Sequence, residues 1–586
     1  MLPQESIRNE INIPVKMRDG TVLYADIYRP DTKNKCPAIV TRFAYDKSIL
    51  IAENPGYMNP QRFARAGYVV VVQDVRGRGG AEGESFLWSH EAEDGYDTIE
   101  WTAIQPWCDG NVGMYGLSYS GYTQWLTAAT QPPHLKVICP VQSSPSARDY
   151  MTFNSGSVFG LQGHVSWHLG MCMQSFIRSK LPPTQAKALL ESLYYAIDNI
   201  RDECSFLPLK DILVDRLAGQ LGFKPSVADF ITNMEDDDYW VQLNSIAPFE
   251  KITVPVFQSC GWYDQYNLAA AVSDSFNGMR EGGGSDLARK NQKLLLGPWI
   301  HGSALLSNVG ALDLGIASAG ASIDLTGMHI RWFDYWLKGI ANGIMDEPPI
   351  RIFVMGDNVW RNEKEWPLAR TKYTKYYFHS DGKANSRFGN GVLSPKISAN
   401  EETDVYLYDP RNPVPYKWGG SGISPTFVVQ DQEEVEKRAD VLVYTSEPLK
   451  NDLEVTGPIE AKLWASSSAV DTDFTTKLVD VYPNGKAYNL VEGIVRARHR
   501  QSVAKPKLIE PGKIYEYSIK LKPTSNVFKT GHRIRVQISS SNFPKWDRNL
   551  NTGHPIGQDA EIMVAMQTIY HDKQYPSHIV LPVIPR

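Results

Sequence analysis

The chain has 586 residues, of which 42% are apolar and 21% charged, and its formal net charge is −5 at pH 7. A chain of this length and composition predicts a globular protein with more than one domain. The small negative charge and the lack of any Lys/Arg-rich run argue against a nucleic-acid-binding protein.

The first part of the chain alternates apolar runs with a helical stretch. Buried strands are predicted at Ala38–Arg42, Tyr68–Asp74, Val112–Tyr115 and Leu135–Val141, and a helix at Asp94–Ile104. The continuous valines of the second run fit a strand that is covered on both faces of a parallel sheet. Strands that alternate with helices predict a doubly wound α/β sheet, with its first part at residues 1–145.

Residues 146–248 interrupt this pattern, because they show little strand character. A helix is predicted at Thr184–Asp198, where apolar residues have helical spacing and two prolines precede the run. Ser226–Asn244 is also predicted to be helical, and it contains the acidic run Glu235–Asp238. We therefore expect a helical cap that is inserted into the sheet domain.

The α/β pattern resumes over residues 249–347. Strands are predicted at Val254–Ser259 and Gln292–Leu296, and Leu325–Lys338 is predicted to be the helix that ends the sheet domain. This segment therefore supplies the second part of the same α/β core.

Residues 348–586 follow two prolines and have a different pattern, with almost no helical periodicity. Short alternating segments separated by Gly, Pro, Asn and Asp are typical of an antiparallel β-sandwich. We predict a C-terminal jelly-roll domain with strands at Ile350–Met355, Lys375–His379, Val441–Thr445, Ala461–Ala465, Thr476–Val481, Tyr515–Leu521, Arg533–Ser539 and Glu561–Thr568.

The segment Gly116-Leu117-Ser118-Tyr119-Ser120-Gly121 lies between a predicted strand and a helix. A serine hydroxyl is a weak nucleophile, and hydrolases expose it on a tight strand-to-helix turn whose neighbouring residues are small. The backbone N–H of the next residue, Tyr119, is then placed to stabilise an oxyanion. We predict Ser118 as the nucleophile. The alternative is a Gly/Ser turn without a catalytic role.

An acid and a histidine each follow a later strand of the predicted sheet. Asp264 comes after Val254–Ser259, and His301 comes after Gln292–Leu296. Strand ends in such sheets point into one crevice, and the order Ser, Asp, His is that of α/β hydrolases. Of the 12 histidines in the chain, His301 has the required order and position. We therefore predict a Ser118–His301–Asp264 triad.

A second oxyanion donor is expected from the loop that follows an early strand, and Tyr45 lies in such a loop. Its phenol O–H could donate to an oxyanion. Packing in the core is the alternative account of this tyrosine.

The six cysteines are scattered and form no C-x-x-C pair, which predicts thiols rather than a disulfide framework. We expect neither a metal site nor an organic cofactor. The N-terminus has no apolar signal core and no run is long enough to cross a bilayer, so we expect a cytoplasmic protein that does not act at a membrane.

These motifs resemble one family over nearly the whole chain. The family is the cocaine esterase / Xaa-Pro dipeptidyl-peptidase group, the CocE/NonD-type hydrolases, which includes α-amino acid ester hydrolases. The resemblance implies an α/β-hydrolase core, a helical cap and a C-terminal jelly roll. It also implies an oxyanion hole formed by the Tyr45 O–H and the Tyr119 N–H. It depends on the segments Tyr45–Lys47, Gln73–Gly77, Glu82–Glu84, Gln105–Met114, Gly116–Gly121, Gly261–Asp264, Gly297–His301, Asp471–Phe474 and Ser539–Pro544.

Members of this family that recognise a free α-amine have an acidic residue just after Ser-Tyr, where this chain has Ser120. This departure weakens the amino-ester hydrolase interpretation. The resemblance also implies that Trp167, Trp262 and Tyr266 line an acyl pocket, although core packing accounts for each equally well. The acidic run Glu235–Asp238 could bind an ammonium group or form a solvated helix face.

We therefore predict a serine hydrolase that cleaves an ester or amide bond of a small substrate through an acyl-enzyme. An Xaa-Pro dipeptidyl aminopeptidase is the nearest alternative. A catalytically inactive hydrolase fold that serves as a binding scaffold is another, and the intact Ser–Asp–His order argues against it. A carbohydrate-binding jelly roll and a homo-oligomer remain open.

Overall fold

The structure is a computed structural model that describes residues 6–49, 59–153, 157–243, 245–397, 399–416 and 428–586. Within these ranges, fourteen strands precede residue 364: β1 (Ile7–Lys16), β2 (Val22–Pro30), β3 (Cys36–Phe43), β4 (Val69–Asp74), β5 (Ser85–Phe86), β6 (Cys108–Leu117), β7 (Leu135–Val141), β8 (Phe223–Lys224), β9 (Val256–Gly261), β10 (Gln292–Gly297), β11 (Asn308–Val309), β12 (Leu312–Asp313), β13 (Ile350–Val354) and β14 (Val359–Glu363).

The same part of the chain contains the α-helices that cover the sheet and build the cap. In the described residues these are α1 (Pro60–Arg65), α2 (Glu91–Ala103), α3 (Tyr119–Ala129), α4 (Leu161–Arg178), α5 (Pro183–Asp198), α6 (Ile200–Ser205), α7 (Leu213–Gln220), α8 (Val227–Thr232), α9 (Asp237–Gln242), α10 (Leu268–Gly282), α11 (Asp286–Lys290) and α12 (Leu325–Lys338).

Ten strands form the first sheet, in the order β1-β2-β4-β3-β6-β7-β9-β10-β13-β14. The seven central strands of this order, β4-β3-β6-β7-β9-β10-β13, are parallel to one another. Strands β1 and β2 at one edge and β14 at the other join the sheet in antiparallel pairing. The predicted doubly wound sheet is confirmed. The sequence analysis predicts no strand at β1 or β2. Strand β1 is a largely exposed edge strand without a continuous apolar run, so it carries no signal of a buried strand.

The cap contains helices α4 to α9, and its apolar side chains share one core with the sheet. The helix predicted at Thr184–Asp198 is α5. The helix predicted at Ser226–Asn244 is instead two short helices, because the Asp236 side chain accepts a hydrogen bond from the Tyr239 N–H and starts α9. The last residue of that prediction, Asn244, lies outside the described residues.

The C-terminal part is a second, eleven-stranded sheet. Its strands are β15 (Lys372–His379), β16 (Val392–Ser394), β17 (Asp404–Tyr408), β18 (Leu442–Thr445), β19 (Leu453–Ser467), β20 (Asp473–Val481), β21 (Ala487–Arg496), β22 (Tyr515–Phe528), β23 (Arg533–Ser539), β24 (Ala565–Tyr570) and β25 (His578–Ile584), and the short helix α13 (Glu433–Glu436) lies between β17 and β18. Pairing is antiparallel except between β16 and β18. Strand β22 pairs with β19 and also packs against β21, so the strands enclose a separate apolar core.

Two strand predictions for this region were wrong in detail. Ile350–Met355 was assigned to the C-terminal domain, but β13 pairs in parallel with β10 of the first sheet, with Leu294 opposite Ile350. The strand predicted at Glu561–Thr568 begins only at Ala565 and extends to Tyr570. The divisions at residues 145 and 248 remain our proposal for the domains, and the predicted division at residue 347 has to move beyond Glu363, because β13 and β14 complete the first sheet.

Among the described residues, no helix has both the length and the apolar character that crossing a membrane requires.

Candidate active site

Ser118 lies on a sharp turn between β6 and α3. Its backbone has φ 56° and ψ −119°, a strained conformation for a residue with a side chain. A Cβ atom on Gly116 would lie 2.4 Å from the Cβ of Ser120, and one on Gly121 would lie 2.3 Å from the Ser143 Oγ. The small residues around Ser118 are therefore a steric requirement of the turn, as the strand–turn–helix motif predicts.

His301 connects Ser118 to Asp264 through two hydrogen bonds. The His301 Nε2 lies 2.9 Å from the Ser118 Oγ, and the His301 Nδ1 lies 2.7 Å from the Asp264 Oδ2. Asp264 is fully buried, whereas 15% of the His301 side chain is exposed. An imidazole in this position can accept the hydroxyl proton while the carboxylate fixes its tautomer. The structure thus brings together three side chains that lie far apart in the sequence.

The parallel register of the sheet explains this convergence. Ser118 follows β6, Asp264 follows β9 and His301 follows β10, so all three lie beyond the carboxyl ends of parallel strands. The loops at that edge of a doubly wound sheet face one crevice.

The C-terminal domain contacts the loop that carries Asp264. The Asp264 Oδ1 accepts a hydrogen bond of 3.0 Å from the Tyr266 N–H, and the main-chain oxygen of Asp264 accepts one from the Lys522 Nζ of β22. Burial and, to a smaller extent, the neighbouring Lys545 lower the pKa of Lys522 to about 7, and Glu492 opposes this shift. The sequence contains no signal for this contact, because Lys522 belongs to a different domain.

Tyr119 is the first residue of α3, where backbone N–H groups have no partner within the helix. Its side chain is held below the turn: the phenol donates to the Glu91 Oε1 at 2.8 Å and accepts from the Trp88 N–H at 3.0 Å. Glu91 in turn pairs with the buried Arg42 at 2.5 Å. Burial and the adjacent Glu91 raise the pKa of Tyr119 well above its ordinary value, so the phenol remains protonated.

Tyr45 follows β3 and is held by the cap helix α4. The Trp167 Nε1–H donates to the Tyr45 hydroxyl oxygen at 3.1 Å, and the Gln174 side chain donates to the Tyr45 main-chain oxygen at 3.0 Å. Accepting from the indole uses a lone pair of the hydroxyl oxygen and leaves its O–H able to donate to a different acceptor. Trp167 therefore contacts a predicted oxyanion donor.

Tyr266 packs directly on the imidazole of His301, with ring centroids 5.0 Å apart at an angle of 84°. Its hydroxyl donates to the main-chain oxygen of Gly163 in α4 at 3.3 Å. Burial, followed by the proximity of Tyr45 and Asp264, raises the pKa of Tyr266. Tyr266 thus lies between the cap helix α4 and His301, the predicted catalytic base.

Trp262 does not fit its predicted role. Its side chain is 1% exposed, its indole N–H donates to the Phe353 main-chain oxygen at 2.9 Å, and its ring packs on Trp366. Core packing against β13 accounts for this residue, so we do not retain it as a substrate contact.

The acidic run Glu235–Asp238 is engaged in contacts within the protein. Glu235 lies 2.8 Å from the His499 Nε2, and Asp237 pairs with Arg148 at 2.6 Å. Asp236 caps α9. These contacts engage the carboxylates of Glu235, Asp236 and Asp237 and argue against an ammonium-binding role for these three residues.

Two other sequence predictions concern thiols and metals. All six cysteines are free, and burial raises the pKa of five of them, Cys108, Cys139, Cys172, Cys204 and Cys260. In the part of the chain that the structure describes, one group has potential metal-ligand atoms within 4.8 Å of one another: His554, Asp559 and Glu561, on the C-terminal domain. None of the three belongs to the Ser118 site.

Gln142 is a site residue that the sequence analysis missed. It directly follows β7, and its side chain bonds to the peptide groups on both sides of His301. Its position one residue beyond a core strand is the signal that could have identified it.

A doubly wound sheet that carries a serine on a strand-to-helix turn, bonded to a histidine and an aspartate at the ends of two later strands, defines a serine hydrolase of the α/β-hydrolase class. Comparisons with known proteins identify the family. The model of the X-Pro dipeptidyl-peptidase (S15) family matches residues 19–303, and that of the X-Pro dipeptidyl-peptidase C-terminal non-catalytic domain matches residues 342–580.

Individual relatives agree with this assignment over the full length. The cocaine esterase of Rhodococcus sp. (strain MB1 Bresler) is 38% identical, and the alignment covers 98% of each chain. A solved aminopeptidase from a marine sediment archaeon, Thaumarchaeota archaeon, has a TM-score of 0.81 and 25% identity, covering 99% of this chain and 97% of the other. A solved α-amino acid ester hydrolase has a TM-score of 0.79 and 26% identity at the same coverage.

The chain therefore belongs to the S15 family of serine hydrolases, in the CocE/NonD group that its motifs predicted. It is an enzyme, and the predicted hydrolase class and α/β fold are confirmed.

Proposed function

We propose that this enzyme hydrolyses small acyl esters through a covalent intermediate on Ser118. The observation that carries this proposal is the continuous chain of hydrogen bonds from the Ser118 Oγ through both nitrogens of His301 to the buried Asp264. In this arrangement the hydroxyl, the base and the orienting carboxylate are already in contact before substrate binds.

In the first step the Ser118 Oγ attacks the ester carbonyl while its proton passes to the His301 Nε2. The tetrahedral intermediate collapses when the bond to the leaving oxygen breaks, and His301 returns the proton to the departing alcohol. In the second step His301 takes a proton from water, the hydroxide attacks the acyl-serine, and the acid product leaves as Ser118 is reprotonated. Asp264 stabilises the imidazolium in both steps.

Two donors are assigned to the oxyanion that forms in each step: the Tyr119 N–H and the Tyr45 O–H. The position of Tyr119 at the start of α3 supports the first, and the indole of Trp167 that holds the Tyr45 oxygen supports the second. A donor of this kind contributes about 10²–10³-fold to turnover. Tyr45→Phe should therefore lower kcat by about this factor and leave some activity.

An ester without a free α-amine is the substrate class that the site favours. Ser120 occupies the position where amine-recognising members have an acid, and the carboxylates of Glu235 and Asp237 are paired with His499 and Arg148. The 38% identity to a cocaine esterase supports the same choice. The Xaa-Pro dipeptidyl-peptidase activity named for the family model remains the alternative to test.

Labelling with a fluorophosphonate probe tests the nucleophile. We expect the wild-type protein to be labelled on Ser118, and Ser118→Ala to lose both labelling and ester hydrolysis. Ser120→Ala is the matched control, because it removes a hydroxyl from the same turn and should retain labelling. If Ser118→Ala is labelled as fast as the wild-type protein, the proposed nucleophile is wrong.

A substrate panel tests the substrate class. It contains p-nitrophenyl acetate and p-nitrophenyl benzoate, phenylglycine methyl ester, and Ala-Pro p-nitroanilide. We expect the highest kcat/KM for the p-nitrophenyl esters. A higher kcat/KM for Ala-Pro p-nitroanilide would establish the peptidase alternative in place of the esterase.

A further inference from the structure

Gln142 lies at the edge of the sheet from which the proposed catalytic residues project. It directly follows β7, it is fully buried, and its backbone has a φ of 44°. Its N–H donates to the main-chain oxygen of Ser259 in β9 at 2.7 Å. The backbone of Gln142 is therefore fixed between two central strands, which gives its side chain a rigid base.

The side-chain amide of Gln142 forms two hydrogen bonds to the loop that follows β10. Its Nε2–H donates to the main-chain oxygen of Ile300 at 2.8 Å, and its Oε1 accepts from the Gly302 N–H at 2.8 Å. Ile300 and Gly302 are the two neighbours of His301 in the chain. One amide group thus holds the backbone on both sides of the imidazole.

The loop needs such an external contact because it is not part of a regular element. Strand β10 ends at Gly297, and His301 lies in a turn in which Gly302 has a φ of 77°. Within this turn the Ser303 N–H donates to the Ile300 main-chain oxygen only at 3.5 Å, so the orientation of the backbone groups depends largely on side chains that reach them. Gln142 supplies such a side chain, and the sheet holds the backbone of Gln142 in place.

The other neighbours of the loop act at different points. Trp299 anchors the segment before His301, through an indole N–H that donates to the Ser318 main-chain oxygen at 2.8 Å. Tyr266 packs on the imidazole ring itself. Neither of these contacts sets the rotation of the two peptide groups that flank His301, whereas the Gln142 amide bonds to both.

We propose that Gln142 is a positioning residue for His301, because its amide clamps both flanking peptide groups and so keeps the imidazole within hydrogen-bonding distance of Ser118 and Asp264. This inference rests on the proposed role of His301 as the base. It assigns Gln142 no contact with substrate.

The effect of losing the clamp follows from the geometry. The imidazole forms hydrogen bonds of 2.7 and 2.9 Å on its two sides, so a rotation of the loop lengthens at least one of them. A misplacement of about 1 Å in a catalytic group lowers the rate by roughly 10²-fold. Binding of substrate should change little, because Gln142 is fully buried and its side chain contacts the backbone on both sides of His301.

The test compares Gln142→Met with the matched control Gln292→Met. Methionine has nearly the length of glutamine but cannot form the two bonds. Gln292 is also buried, at 4% exposure, and donates from its side chain to a main-chain oxygen at 2.7 Å, but it starts β10 at the opposite end of the strand from His301. Both variants therefore remove a buried amide from the same sheet.

We expect Gln142→Met to lower kcat for p-nitrophenyl acetate by about 10–100-fold, with KM within about twofold of the wild-type value. The rate of fluorophosphonate labelling should fall by a similar factor, with Ser118 still the labelled residue. Gln292→Met should keep kcat and the labelling rate. Gln142→Glu, which still accepts from the Gly302 N–H, should have an intermediate kcat and also serves if the methionine variant does not fold.

The inference is overturned if every Gln142 variant that folds, whether Gln142→Met, Gln142→Glu or both, keeps kcat within about twofold of the wild-type value. It is equally overturned if Gln142→Met and Gln292→Met lose kcat to the same extent, since the effect would then be a general loss of stability. Failure of the proposed function is recognised separately, by the labelling of Ser118→Ala. If that variant is labelled as fast as the wild-type protein, Ser118 is not the nucleophile and the role of His301 as its base is wrong, whatever the Gln142 variants do.

Discussion

Replacing Lys522 by methionine should stabilise the protein below pH 7 and should have progressively less effect as the pH rises. Lys522 projects from β22 of the C-terminal domain into the core next to the Asp264 loop, and it is only 6% exposed. An ammonium group in such a position has lost most of its hydration. Methionine has a similar length and carries no charge, so it fills the same space without this cost.

The size of the effect follows from the pKa of Lys522, which burial lowers from 10.5 to about 7. Each pKa unit corresponds to about 1.4 kcal/mol, so keeping Lys522 protonated in the folded protein costs up to about 5 kcal/mol of the free energy of unfolding. The lost hydrogen bond to the Asp264 oxygen offsets about 1 kcal/mol of this cost. The attraction to Glu492 needs no separate correction, because the lowered pKa of Lys522 already contains it. We expect a net stabilisation of about 2–4 kcal/mol at pH 6.

The direction with pH follows from proton binding. In the unfolded chain Lys522 keeps its proton up to about pH 10.5, whereas in the folded protein it releases the proton near pH 7. Between these values the unfolded state binds more protons, so the free energy of unfolding of the wild-type protein rises with pH. Below pH 7 both states are protonated and the full cost remains. The advantage of the methionine variant should therefore be largest at pH 6 and small above pH 9.

Differential scanning fluorimetry at pH 6, 7.5 and 9 measures this difference. A stabilisation of about 2–4 kcal/mol raises the unfolding midpoint by about 5–10 °C for a domain of about 150–250 residues, the size range of the C-terminal domain. Lys520→Met is the matched control, because Lys520 is an exposed lysine on the same strand, and its midpoint should shift little. A shift for Lys522→Met that is equal at pH 6 and pH 9, or a lower midpoint at pH 6, would refute the reasoning.

Three further substitutions test the geometry around Ser118. Asp264→Asn should lower kcat by about 10⁴-fold, because the amide favours the wrong tautomer of the imidazole, and an unchanged kcat for p-nitrophenyl acetate would contradict the triad. Gly116→Ala should lower both the unfolding midpoint and the labelling rate, because its Cβ would lie 2.4 Å from that of Ser120; a fully active, stable variant would show that the turn tolerates the side chain. Tyr119→Phe should lower the free energy of unfolding by about 1–3 kcal/mol, because Glu91 loses a buried donor, while the backbone N–H and most of kcat remain. A large loss of kcat at unchanged stability would instead show that the phenol takes part in the reaction.

Local features of the sequence predicted the chemistry-bearing turn. The order of strand, Gly116, Ser118, Ser120 and helix is dictated by short-range sterics, so it is visible in a single segment of the chain. Continuous apolar runs likewise predicted the central parallel strands, since a strand buried on both faces must be apolar throughout. The positions of Asp264 and His301 after later strands followed from the same pattern and the order of the motif.

Only the tertiary structure decided which sheet a strand joins and which side chains meet across domains. An apolar run such as Ile350–Val354 has the same pattern in either sheet, and its pairing with β10 depends on contacts that local periodicity does not encode. Trp262 was indistinguishable from a pocket residue until its indole was seen bonded within the core. The contacts of Gln142 and Lys522 with the loops of His301 and Asp264 were likewise absent from the sequence pattern, because buried polar contacts between distant segments arise only when the chain has packed.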